Sequence, residues 1–186
     1  MKSSTLLKVL AVVVVAVLFQ APAYASCTQG GCFDFGCNCL DQVADQTFSD
    51  SCSVWSYSGD AYLDSSGGDD YVVFSSPEDP EDAENSASIE QTLTVPSDRT
   101  TIAIHVDVRV ISPSSLTERL VVDIISTSGT ILDTVLVIRP IDGDDYYIGT
   151  SSGFGGQTVK VRIRYRPAHF PGGTIFEVTE VHFLTC

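Results

Sequence analysis

With 24 acidic and 10 basic side chains among 186 residues, the chain carries a formal net charge of −14. A surface this acidic repels polyanions, which argues against nucleic acid and anionic membrane and favours divalent cations and cationic partners. An acidic, lysine-poor composition also suits a protein that lives in high salt, so charge alone does not select a ligand.

Residues 1–25 read as a cleaved secretory signal. Lys2 and Lys8 make a positive start, residues 9–19 are an unbroken apolar run, and Ala23-Tyr24-Ala25 forms an A-x-A cleavage site before Ser26. The run falls short of the ~20 residues a spanning helix needs. The alternative, a lipoprotein signal acylated at Cys27, is disfavoured by the aromatic Tyr24 where such signals carry an aliphatic residue. No later stretch is apolar enough to insert. The expected location is therefore extracellular or periplasmic, with no membrane insertion after cleavage.

All six cysteines follow the signal: Cys27, Cys32, Cys37, Cys39, Cys52 and Cys186. An even number behind an export signal reads as disulfides. Four fall within residues 27–39 and are expected to form two local bridges in a Cys-rich cap spanning 26–45. That leaves Cys52 to pair with Cys186. A four-thiol metal site is the alternative, against which stand the lack of Cys-x-x-Cys pairs and of nearby histidine.

Residues 46–186 alternate between strand and turn signals. Strands are expected over 53–57, 61–63 and 71–74, with loops at 58–60 and 65–70. Residues 75–88 carry two Pro, five acids and no large apolar side chain, and read as a solvated loop. Residues 89–95 form the next strand, ended by Pro96. In 101–111 the alternation puts Ile102, Ile104, Val106, Val108 and Val110 on one face and Ala103, His105, Asp107 and Arg109 on the other. Residues 120–125 and 131–138 read as a hairpin about Ser128-Gly129, and 140–145 as a tight acidic turn. A Gly/Ser loop is expected at 151–156, which places Tyr146, Tyr147 and Phe154 in turns at one edge. In 157–166, Val159, Val161, Ile163 and Tyr165 face a core while Lys160, Arg162, Arg164 and Arg166 face away, the least expected feature in so acidic a chain. A last strand runs over 174–184. Eight to ten short strands without a helical period indicate an all-β, antiparallel two-sheet sandwich.

Three segments carry a family resemblance. Trp55-Ser56-Tyr57-Ser58-Gly59-Asp60-Ala61 resembles the W-x-x-S-G-D-A segment of galactose-binding-like jelly rolls, a fold shared by several carbohydrate-binding modules. Residues 89–96 (IEQTLTVP) are similar to their I-S-Q-T-L-T-V-P strand, and residues 173–183 to their closing G-x-F-x-V-D-D-V-x-L strand. The resemblance implies a jelly-roll sandwich over 46–186 with Trp55 in the core. Its first and last strands lie side by side, which suits a Cys52–Cys186 bridge. It also implies a structural calcium taken from an early segment and the closing acids, here Asp45, Asp50 and Glu180. This chain departs from the pattern there, with Phe48-Ser49-Asp50 and Thr179-Glu180 in those places.

No nucleophile elbow is present, and His105, His169 and His182 lie on separate segments without ligand spacing, so they read as surface or packing residues and the chain as not an enzyme. The expected ligand surface joins His105, Asp107 and Arg109 to Lys160, Arg162, Arg164 and Arg166, if the two strands share a sheet. Guanidinium forks there suit glycan hydroxyls or carboxylates; alternatively Asp107 and acidic loops neutralise the cations. The expected function is a non-catalytic glycan-binding module. A structural or adhesive extracellular protein with a protein partner is the alternative, and a glycoside hydrolase a more distant one.

Overall fold

A strand with one apolar face is stable only when that face is covered, and this chain supplies such strands in numbers that two facing sheets satisfy. A computed structural model describes residues 39–49, 54–75, 87–111, 113, 117–167 and 173–186. The expected signal, most of the cap, Cys27, Cys32, Cys37, Cys52, Asp50 and His169 lie outside them. Among the described residues there are eleven strands. Sheet I holds β1 (Leu40–Asp41), β3 (Tyr62–Ser66), β4 (Asp69–Phe74), β6 (Thr101–Ile111), β9 (Asp145–Ser152) and β11 (Ile175–Thr185). Sheet II holds β2 (Ser56–Ser58), β5 (Ser88–Thr94), β7 (Arg119–Ser126), β8 (Ile131–Ile138) and β10 (Thr158–Arg166).

The strand order is a rolled-up ribbon. β7 and β8 form the hairpin at its tip, turning at Gly129 (φ 92°). Behind it β6 pairs with β9, β5 with β10 and β4 with β11, all antiparallel. Rolling the ribbon then lays β10 against β7 and β11 against β6, giving the order β3-β4-β11-β6-β9 in one sheet and β2-β5-β10-β7-β8 in the other. That nesting is a jelly roll. Between the sheets lie Ile102, Ile104, Val106, Val108, Phe176, Val178, Val181 and Phe183 from sheet I, facing Ile89, Leu120, Val122, Ile124, Val161, Ile163 and Tyr165 from sheet II. Trp55 is a core residue, as the resemblance implies: its Nε1 donates to the Asp45 carbonyl at 2.7 Å and its ring tilts against Phe48.

Three expectations change. Residues 145–152 form a full strand rather than turns. Tyr146 and Tyr147 therefore point to opposite faces of an edge strand, and Gly149 is required where β9 crosses β8, since a Cβ there would sit 2.5 Å from Val135 Cγ1. The 65–70 loop is a two-glycine turn at Gly67-Gly68 between β3 and β4. Cys186 bonds Cys39, not Cys52. The register gives the reason: Leu40 lies opposite Thr185 in the β1–β11 pair, so Cys39 and Cys186 face each other one step on, with Cα atoms 4.3 Å apart. Consequently residues 39–45, assigned to the cap from sequence, belong to the sandwich, with Val43 in the core.

The bridge closes a sequence separation of 147 residues, for which chain entropy gives about 4–5 kcal/mol. A Cys39→Ser, Cys186→Ser double variant is expected to lose a stability of that order in non-reducing denaturant titrations. An unchanged midpoint would show that the β1–β11 pairing holds the termini without it.

Candidate functional site

The cationic strand face and the His105 face do not form one surface. β10 lies in sheet II and β6 in sheet I, so their polar sides look outward on opposite faces of the sandwich. The expected joint platform is thereby corrected, and its cations meet other partners than Asp107.

On sheet II, Lys160 Nζ lies 2.9 Å from Glu90 Oε2 on β5. Arg162 and Arg164 converge on Asp123 of β7: Arg162 Nη2 donates to Oδ2 at 2.9 Å, Arg164 Nε to the same oxygen at 2.6 Å, and Thr134 Oγ1 to Oδ1 at 2.7 Å. The Asp123 side chain is fully buried beneath them. Burial pushes its carboxyl up, but the hydrogen bonds from Arg164, Arg162 and Thr134 outweigh this and hold it below the usual aspartate range. Arg166 stays exposed beside Arg119 at the end of the strand. Three of the four cations of this strand are therefore tied into the sheet.

On sheet I the decisive feature is a β-bulge in β11. Up to Val178 the even-numbered residues face the core; the extra residue at Thr179 shifts the register between Val178 and Glu180, and beyond it Val181 and Phe183 face inward. Glu180 and His182 are thus turned outward, opposite Asp107 and His105. At the same place β11 changes its other neighbour. Phe176–Val178 pair with β4, Leu184 and Thr185 with β1, and between them the 42–49 segment crosses, accepting from Val181 N at Gln46 O and donating from Gln42 N to Phe183 O.

The gap left by this exchange is a cleft of about 460 Å³. Asp107, Arg109, Thr179 and Glu180 of β6 and β11 line it, together with Asp69 and Asp70 at the start of β4 and Thr47 and Ser49 of the crossing segment. Thr179 Oγ1 donates to Asp107 Oδ2 at 2.8 Å. Tyr146, half exposed on the neighbouring β9, donates its hydroxyl to Glu180 Oε2 at 2.8 Å. This bond to Glu180, with burial and the charges of Glu180 and Asp107, pushes the phenol pKa up to about 12. Tyr62, also half exposed, stands on β3 at the opposite edge of the sheet.

Behind the cleft lies a buried polar chain that the sequence did not reveal. Asp41 of β1 is buried and accepts four bonds: from Val43 N, Phe183 N, Gln46 Nε2 and His182 Nδ1. The other His182 nitrogen lies 2.9 Å from Glu180 Oε1. Facing two carboxylates, which only accept, both ring nitrogens are matched by an imidazolium. Burial pushes the His182 pKa down, but the bond and charge of Asp41 and the presence of Glu180 outweigh it and raise it above the usual histidine value. His105, expected as a surface or packing residue, is buried with its ring edge-on to His182 at 6.4 Å. The legible signal was the mirrored spacing His105-x-Asp107 and Glu180-x-His182, which antiparallel pairing brings together.

Of the acids expected to hold calcium, Asp45 is buried with Oδ1 accepting from Ser49 N at 2.9 Å, and both Glu180 oxygens meet Tyr146 and His182. Among the described residues no group of three or more His, Cys, Asp or Glu side chains is arranged to hold a metal.

No family model matches this chain, and no curated protein matches it. Among solved structures it is similar to the C-terminal CBM6 of LamC, a laminarinase of Zobellia galactanivorans, at 15% identity and TM-score 0.49 over 80% of this chain and 100% of that one. It is similar also to a CBM61 module in complex with β-1,4-galactotriose (11%, TM-score 0.49, 72% and 90%) and to the xylan-binding module CBM15 (13%, TM-score 0.49, 80% and 96%). The jelly-roll assignment rests on this chain's own strand order.

Three outcomes test these electrostatics. Asp123→Asn, which leaves two guanidinium groups without their carboxylate, is expected to cost about 3–5 kcal/mol in urea titrations near neutral pH. In the unaltered chain the Asp123 contribution is whole above the ordinary aspartate pKa of about 4 and is lost as pH falls through the depressed folded value. The His182 contribution has the opposite sign: whole below about pH 6.5, it fades as pH rises through the elevated folded value. His182→Asn should therefore flatten the loss of stability that sets in as pH rises above about 6.5. Spectroscopic titration of Tyr146 is expected to end near 12, and to move down toward 10 in Glu180→Gln; an unmoved value would sink the assigned bond.

Proposed function

We propose that this protein is an exported, non-catalytic carbohydrate-binding module that takes a neutral glycan in the cleft on the outer face of sheet I. The observation that carries the reading is the lining of that cleft, which brings the donor Arg109 into one concavity with the acceptors Asp107, Thr179 and Glu180. Sugar hydroxyls donate and accept at once, and alternating fixed donors and acceptors suit them. Tyr146 adds an amphipathic ring at the rim, with its hydroxyl already oriented by Glu180. The acidic walls at Asp69 and Asp70 disfavour uronates and sulfated sugars. Asp107 and Glu180 are held by Thr179, Tyr146 and His182, an arrangement of oriented acceptors rather than of a mobile acid and base. Export follows from the signal reading of residues 1–25.

A glycan array of neutral and acidic polysaccharides, run with and without calcium, tests this. Retention on a neutral glycan is expected, and Arg109→Ala or Tyr146→Ala should weaken it by roughly tenfold or more, about 1.4 kcal/mol. Arg162→Ala should leave retention unchanged while lowering the melting temperature, since Arg162 is bound to Asp123. No retention on any neutral glycan would overturn the reading.

A further inference from the structure

One end of sheet II carries a row of arginines that its acids do not answer. Arg166 on β10 lies directly opposite Arg119 on β7. On the other side of β7, Leu120 pairs with Ile138 of β8, so Arg119 and Arg139 face each other one step on. Residues directly opposed on neighbouring antiparallel strands share a face. The neighbours Leu120, Ile138 and Tyr165 are all in the core, and Arg139 is extended (φ −110°, ψ 154°). Alternation therefore turns all three arginines outward. Arg139 and Arg166 are exposed, and Arg119 is half-buried between them. With strands about 4.8 Å apart, the Cα atoms of the row span about 10 Å.

Like charges directly opposite one another destabilise a sheet. Elsewhere on this face the chain answers them: Lys160 meets Glu90, and Arg162 and Arg164 meet Asp123. Among the described residues none of Arg119, Arg139 and Arg166 makes an ion pair. The carboxylates close to them in the chain are engaged with backbone. Asp142 Oδ2 accepts from Arg139 N at 2.8 Å, and the buried Glu118 accepts from Thr174 N at 3.3 Å.

We propose that this row binds the carboxylates of an acidic glycan, with successive uronate units lying across β10, β7 and β8. A guanidinium is a planar fork that matches a carboxylate through paired hydrogen bonds. Three forks in line suit a polymer that repeats its charge from ring to ring. In the next row along the strands Val121 and Val137 occupy the same face, and the half-exposed Val137 offers the C–H side of a sugar ring an apolar neighbour. The only aromatic side chain of β7, β8 and β10 is Tyr165, and it is buried in the core, so the bases of a nucleic acid would find no stacking platform. The net charge of −14 opposes any polyanion at a distance. At physiological ionic strength that field decays over about 8 Å, whereas contacts with the row are direct. The site lies on the opposite outer face from the sheet I cleft and does not depend on the neutral-glycan reading.

The test is a titration of the intact, 15N-labelled protein at physiological salt with tetragalacturonate, galacturonate, cellotetraose, a heparin tetrasaccharide and an oligothymidylate, following the backbone amides of Arg119, Arg139 and Arg166. Saturable shifts there with tetragalacturonate are expected, with none from cellotetraose and an affinity that falls as salt is added. Arg119→Gln combined with Arg166→Gln should weaken this binding by roughly tenfold or more while the rest of the spectrum stays in place. Arg119→Lys, which keeps the charge but loses the fork, should weaken it severalfold. Equal affinity for single galacturonate would overturn the row as a multivalent site, and equal affinity for the heparin fragment or the oligothymidylate would overturn the uronate assignment. An unweakened double variant, or no saturable shift with tetragalacturonate, would overturn the site.

Discussion

The structure depends on how β11 is paired. On one side it runs antiparallel to β6 from Ile175 to Thr185, interrupted only by the bulge at Thr179. On the other it is shared between β4, the 42–49 segment and β1. Backbone N–H and C=O groups in a central strand must be satisfied on both sides. Here three separate stretches of chain do it for one strand. Closure of the termini by Cys39–Cys186, the crossing of the 42–49 segment and the cleft beneath it all follow from that division.

The bulge converts this pairing into a site. One inserted residue moves Glu180 and His182 from core-facing to outward positions, where a regular strand would have buried them against Ile104 and Val106. Outward, they meet Asp107 and His105 of β6, and His182 reaches Asp41 of β1. A carboxylate, an imidazole, a second carboxylate and a phenol are thereby joined from the first described strand to the edge of sheet I. Each member fixes the next, so the Glu180 oxygens and the Tyr146 ring are oriented before any ligand arrives, the condition under which polar groups contribute to binding without an ordering cost.

Sheet II solves the opposite problem. Its outer face collects the Lys160, Arg162 and Arg164 cations of an acidic protein, and the neighbouring strands answer with Glu90 and Asp123. Cross-strand partners at fixed spacing offset most of the row's charge, and Asp123 disappears beneath it. The oddity of the sequence is thus largely a structural element.

Much of the fold was legible in the sequence, because a strand's two-residue period is a local property. The 101–111, 157–166 and 174–184 strands and the Gly129 hairpin appear where alternation and turn chemistry put them. Residues 145–152 were missed because Gly149 and the flanking Asp and Ser residues look like turn formers; tertiary contact with Val135 is what requires the glycine in a strand. Of the site, the sequence picked out Asp107 and Arg109, which it placed with cations that belong to the other face, and Glu180, which it placed among acids for a calcium ion. Which sheet a strand joins, which cysteine stands opposite Cys186, and where a bulge reverses a strand's faces depend on pairings between distant residues. Local pattern determined that this chain makes two-faced strands; only their long-range register decided which polar faces became a cleft and which an ion-paired wall.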